Sequence, residues 1–123
     1  MAVINLDTNQ IIVEEVTRAD KFWTRFKGLM GRKSIPDDFA LHIVPCPSIH
    51  TFFMKFPIDV LYLDQNNQVI GIEENLQPGK LGKRFSGGHS VIELPAGKVA
   101  QTEVAVGQTV VFVEGKLSRR AVK

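Results

Sequence analysis

The sequence predicts a mainly β (α+β) fold: a small, barrel-like domain of antiparallel or mixed sheet with one amphipathic N-terminal helix. Three observations lead there. Short apolar runs recur along the chain between turn-forming residues, only one stretch has a helical period, and no Pro/Gly-rich linker or repeat divides the chain. Residues 1–123 therefore read as a single domain, with a core from about Val13 to Val113 and a frayed tail over 115–123.

Ala2 to Ile4 and Ile11 to Val16 are apolar runs on either side of the polar stretch Asn5 to Gln10, which suggests a hairpin. The helix is expected next. Thr17 is placed to cap it, with Asp20 three residues on to answer the cap's backbone N–H. At about 100° per residue, Ala19, Phe22, Trp23, Phe26, Leu29 and Met30 fall within an arc of about 120°, a packing face. Gly28 or Gly31 can end the helix, and Pro36 prevents it from resuming.

Beyond Pro36 the period falls to two. Phe39, Leu41 and Ile43 alternate with Ala40, His42 and Val44, and the runs Ile49 to Met54 and Ile58 to Leu63 are rich in apolar residues. Asp64-Gln65-Asn66-Asn67 reads as the turn of a hairpin joining Ile58–Leu63 to Gln68–Glu74. Gln77 to Gly88 is a long loop, and His89 to Leu94 is a strand. Lys98 to Val106 holds a short helical turn, and Gln108 to Glu114 is the last strand.

Bulk properties remove several function classes. Fifteen basic against thirteen acidic side chains leave a net charge of +2, too small to imply a polyanionic partner. A single cysteine excludes an internal disulfide and any multi-thiolate zinc site. No apolar run approaches the roughly 20 residues of a membrane-spanning helix. The start MAVINLDTNQ lacks the basic-then-apolar pattern of a signal peptide, so the sequence reads as cytoplasmic, or as exported if such a segment has been removed.

The chemically dense stretch is PCPSIHTFFMKFPIDVLYLD, residues 45–64. Cys46 as a nucleophile needs a base, and His50 is the candidate. In extended chain their Cα atoms stand about 13 Å apart, and no Gly or Asn between them eases a reversal. A packed thiol is the plainer reading. His42, Cys46, His50 and His89 suggest a metal site, but Pro45 and Pro47 forbid the helix that would align the first three, and a strand spreads them too widely. Asp59 stands out because it interrupts an apolar strand, so its carboxylate needs Arg25, Lys55, a hydroxyl or a loop N–H as a partner. Glu73, Glu74 and Glu93 offer a carboxylate pair whose spacing a sequence does not reveal. Six Lys or Arg between Arg18 and Lys33, with the basic C-terminus, suggest a patch for nucleic acid or acidic lipid. The aromatics such a site would use face the helix's packing side, which disfavours nucleic acid.

Phe22 to Arg32, Ser48 to Asp64 and Val91 to Gly97 followed by Val106-Gly107, in this order and spacing, resemble the domain of unknown function 192 family, a small prokaryotic domain. The resemblance spans about Val13 to Val113. It implies a β-rich fold with one helix and no assigned activity, and it places the family's central motif on Phe52, Phe53, Met54, Lys55, Ile58 and Asp59. It also implies that many relatives differ at Cys46 and that many carry an export signal.

The reading that follows is a module that binds a small molecule or peptide through Arg25, His50, Thr51, Met54, Lys55 and Asp59, with no metal, cofactor or assigned catalytic residue. The alternative is a hydrolase or transferase using Cys46 and His50 or a carboxylate pair. A weak nucleic-acid binder comes third.

Overall fold

The computed structural model describes residues 1–21 and 29–114. Among these residues eight strands run in the order β1 (Ala2–Asn5), β2 (Gln10–Val13), β3 (Glu15–Ala19), β4 (Phe39–Ile43), β5 (Ile58–Leu63), β6 (Val69–Leu76), β7 (Ser90–Pro95) and β8 (Val110–Val113). A short helix, α1 (Lys98–Thr102), precedes β8. The strands make two sheets, ordered β2-β1-β8 and β3-β4-β7-β5-β6.

Both expected hairpins form. β1 and β2 pair antiparallel, as do β5 and β6. In the β5–β6 turn the Asp64 carboxylate accepts the N–H groups of Asn66 and Gln68 at 2.8 and 2.9 Å, and Asn67 takes φ 61°, a left-handed conformation that asparagine tolerates. The two sheets are not closed into a barrel. They touch at local links: a bridge between Gln68 and Thr109, and the Val16 N–H donating to the Met1 carbonyl at 2.6 Å.

The N-terminal helix needs correction at its start. Thr17 is not a helix cap but the middle of β3, opposite Leu41 in a parallel pairing with β4. A parallel neighbour requires a long crossover, and residues 20–38 supply it. Val16 and Ala19 are buried while Thr17 and Arg18 are exposed, so the apolar residue assigned to the helix arc at Ala19 serves the sheet instead. Residues 22–28, which carry most of the predicted helix, lie outside the described residues. Ile49 to Met54 is not a strand either; it is loop with one isolated bridge, from His50 to Leu81.

β5 is buried along its whole length, which explains why its sequence IDVLYL shows almost no polar alternation. Side chains of successive strand residues point to opposite faces. Leu61 and Leu63 of β5, with Ile92 and Leu94 of β7, pack against Val3, Ile12, Val13 and Val110 of the three-stranded sheet. Ile58, Val60 and Tyr62 pack on the other face with Leu41, Ile43 and Val91. Among the described residues, the cover on that side comes from loops that contribute Leu29, Ile35, Ile49, Met54, Phe56 and Phe85.

Candidate functional site

The loops on that second face contain most of the residues singled out in the sequence. Asp59 is an exception: it is fully buried near the start of β5 on the opposite face, the one shared by Leu61 and Leu63, and stands opposite Leu94 of β7. One carboxylate oxygen accepts the Asn75 N–H at 2.8 Å, and the other accepts the N–H groups of Gly97 at 3.1 Å and Val99 at 2.9 Å. These donors belong to the end of β6 and the start of α1, so Asp59 pins three chain segments together. Of the partners weighed for it, the backbone N–H is the one the structure shows. Three such bonds satisfy a buried carboxylate without a cation.

Thr51 has a similar part. Its buried hydroxyl donates to the Gln77 carbonyl at 2.7 Å and accepts the Lys80 N–H at 2.8 Å. Its backbone N–H donates to the Lys80 carbonyl at 2.8 Å, and its carbonyl accepts the Gly79 N–H at 2.9 Å. The loop over 50–55 is thereby fastened to the loop over 77–85. Ser48 adds a hydroxyl bond to the Lys83 carbonyl at 2.9 Å, and Gly82 N–H donates to the Ile49 carbonyl at 2.8 Å. Gly82 must be glycine for this approach, because a Cβ there would lie 2.5 Å from the Tyr62 hydroxyl. Met54 is 7% exposed and belongs to the core beside Leu29 and Tyr62.

What this base presents outward is different. Phe53 is 76% exposed, Leu81 73% and Phe52 40%. Phe53 adopts φ 65°, a conformation that is unfavourable for a bulky side chain, and its carbonyl accepts the Gly31 N–H at 3.3 Å. His50 is half-buried with its ring stacked on Phe52 at 5.1 Å, and its Nδ1 is buried without a hydrogen-bond partner among the described residues. Lys55 is exposed next to them. Arg25 lies outside the described residues. Of the six predicted site residues, His50 and Lys55 thus stand at a surface, Thr51 and Met54 lie beneath it, and Asp59 is buried on the opposite face of β5.

The remaining candidates scatter. Cys46 follows a cis Val44–Pro45 peptide, and its thiol donates to the Ser48 carbonyl at 2.7 Å. His42 points to the other face of the sheet, stacked on Phe112 at 4.3 Å with Nε2 3.0 Å from the Ser90 hydroxyl oxygen. Burial, followed by the nearby charges of Arg18 and His89, lowers its pKa to about 4. His42 and Cys46 therefore work on opposite sides of the five-stranded sheet and do not converge on one ion. Among the described residues no three His, Cys, Asp or Glu side chains gather as a metal site would require.

Sequence reasoning named Glu73 and Glu93 as a candidate carboxylate pair but not the buried Tyr62 hydroxyl beside them. The Tyr62 hydroxyl donates to Glu73 at 2.5 Å, and the same carboxylate oxygen accepts the Lys83 N–H at 2.7 Å. Burial first, then the Glu73 hydrogen bond and the charges of Glu73, Cys46 and Glu93, push this phenol well above its usual range. Glu93 and Glu73 both stand opposite Val60, one on each neighbouring strand. Glu93 is 2% exposed, and burial raises its pKa to about 8. One of its oxygens has no hydrogen-bond partner among the described residues. Glu93 was legible in the sequence as a glutamate amid VIELP, flanked by apolar residues on both sides; its separation from Glu73 across β5 was not.

A cleft of about 590 Å³ lies elsewhere, on the side of the three-stranded sheet. β2 and the following Glu14 form one wall, while Asp37, Asp38, Lys98 and Gln101 form the other. Lys98 Nζ pairs with Asp37 there at 3.3 Å. None of the predicted site residues reaches it.

Comparison with known proteins agrees with this architecture. A solved structure from Novosphingobium aromaticivorans, a protein of unknown function, superposes with a TM-score of 0.81 at 20% identity, covering 91% of this chain and 84% of the other. That likeness shows a shared fold. A UPF0127 protein of Thermococcus sibiricus is 30% identical over 114 residues, 88% of this chain and 72% of its own length. One from Pyrococcus furiosus is 31% identical over 110 residues, 85% of this chain and 92% of its own. Residues 3–112 match the DUF192 family, described as an uncharacterized ACR, and the chain belongs to that family.

Proposed function

We propose that the protein is a non-catalytic binding module whose site is the surface formed by the loops over 50–55 and 77–85. The observation that carries this reading is the exposure of both Phe53 and Leu81 on two loops that Thr51 fastens together from beneath. An exposed aromatic held at φ 65° is not explained by packing, whereas a rigid apolar contact surface explains it. His50 and Lys55 supply polar contacts at the rim, Thr51 and Met54 keep the rim in place, and Asp59, from the opposite face of β5, fixes the end of β6 from which the loop over 77–85 departs. The ligand class is a small molecule or peptide that sets apolar groups beside negative charge.

Catalysis has less support. The Cys46 thiol is engaged with a carbonyl, and Glu73 is occupied by Tyr62 and Lys83. Glu93 is buried among core side chains.

Anilinonaphthalene sulfonate, an aromatic anion, tests the binding reading directly. Its fluorescence is expected to rise with the native protein and to fall several-fold with Phe53→Ser/Leu81→Ser, whose circular dichroism stays unchanged. Equal fluorescence with the parent protein and the double variant would refute the site.

A further inference from the structure

We infer that this surface docks on an anionic lipid bilayer, with Phe53, Phe52 and Leu81 entering the headgroup boundary and a ring of cations facing the lipid phosphates. The inference rests on the loop surface being the binding site and names what it binds.

Charge is distributed unevenly in this protein. Residues 29–34, 50–58 and 77–89 contain Arg32, Lys33, Lys55, Lys80, Lys83 and Arg84 and no Asp or Glu, although the whole chain carries 15 basic against 13 acidic residues. All six cations are exposed. The hydrogen bonds from Thr51 to Lys80, from Ser48 to Lys83 and from Gly31 to Phe53 show that the three segments adjoin. Glu73, which contacts them, is already bonded to the Tyr62 hydroxyl and the Lys83 N–H. The carboxylates of Glu14, Asp37 and Asp38 line the cleft on the other side of the five-stranded sheet, away from these loops.

A face with apolar side chains at its centre and cations around it, built from segments that carry no acid of their own, complements a surface that is negative outside and apolar within. Aromatic side chains suit the boundary between the two, and lysine stems can lie along the apolar layer with their ammonium groups at the phosphates. A folded partner would have to supply a pocket for Phe53, whereas a bilayer needs none. The loops also meet a requirement of shallow insertion: their backbone is hydrogen-bonded internally through Thr51, Ile49 and Gly82.

Co-sedimentation of the full chain with vesicles tests this. Vesicles of phosphatidylcholine with phosphatidylglycerol are expected to carry the protein down, and vesicles of phosphatidylcholine alone are not. Raising salt should release it. Lys55→Glu/Lys80→Glu should weaken binding at least about five-fold for each charge removed, and Phe53→Ser/Leu81→Ser about ten-fold or more. Absence of binding to the anionic vesicles overturns the inference, as does binding that the Phe53/Leu81 double variant leaves unchanged. If vesicles fail while anilinonaphthalene sulfonate still binds in a Phe53-dependent way, the site stands and its ligand is a soluble amphipathic anion such as an acidic peptide. If both fail, the inference and the binding reading fall together.

Discussion

The two faces of the five-stranded sheet are buried by different means. On one, a second sheet lays Val3, Ile12, Val13 and Val110 against Leu61, Leu63, Ile92 and Leu94, side chain on side chain. On the other, loops do the covering among the described residues, and polar groups hold the loops: Thr51 through four contacts to the chain over 77–80, Ser48 through the Lys83 carbonyl. A strand satisfies its own backbone through the ladder, so a sheet cover needs only apolar side chains. A loop cover has backbone groups left over, and buried side-chain acceptors have to meet them. The loop-covered face is for that reason the one where Thr51 is buried beneath the motif, and the one whose outer surface can be shaped for a ligand.

Buried polar groups that answer loop and helix-end N–H groups should be as damaging to remove as apolar side chains are to truncate, on either face. Asp59→Ala, where the sheet-covered face meets the ends of β6 and α1, is expected to have the largest effect, about 3–5 kcal/mol in denaturant unfolding, because it leaves three donors unanswered in a buried place. A cost below that of a surface substitution would show that the pin is dispensable. On the sheet-covered face, Leu61→Ala should cost about 2–5 kcal/mol through the cavity it leaves. Thr51→Val, which keeps the shape and removes the hydroxyl, should cost about 1–3 kcal/mol. Its effect should appear as faster amide exchange over 77–81 and leave β1 and β8 unaffected.

The same faces carry opposing titrations. His42, on the sheet-covered side, has a folded pKa lowered from 6.5 to about 4, so its neutral form favours folding at high pH. That contribution is lost as pH falls from 6.5 through 4. Glu93, on the loop-covered side, has a folded pKa raised from 4.5 to about 8. Stability linked to its protonated form is fully present below 4.5 and is lost as pH rises through 8. Between about 4.5 and 6.5 the two slopes cancel, which predicts a plateau of stability with a fall on either side. Glu93→Gln should abolish the alkaline fall, a gain of a few kcal/mol above pH 8 and none below 4.5. An unchanged pH profile in that variant would remove Glu93 as its cause. The smallest effect is expected at the surface itself. Phe53→Gly should shift stability by only about 0.5 kcal/mol, since relief of the positive φ and the added freedom of glycine nearly cancel.

Local sequence pattern carried much of this structure. Alternation and turn chemistry located β1–β2, the Asp64–Asn67 hairpin, β7 and the short helix after Gly97, because each depends on residues within a few positions of one another. The cost of burying Asp59 was also visible, since a carboxylate inside IDVLYL is anomalous wherever the strand lies. The family resemblance extended that reading over nearly the whole chain. Thr17 shows where it stopped: a residue suited to cap a helix became a strand residue because β4, more than twenty positions away, offered a parallel partner. The partners of Asp59 come from Asn75, Gly97 and Val99, and Thr51 meets Lys80, contacts that no local spacing encodes. The exposure of Phe53 and Leu81 is likewise a tertiary outcome. An apolar run has no preference for which of its members face the core, so Met54 went in and Phe53 stayed out only when the loops closed over the sheet.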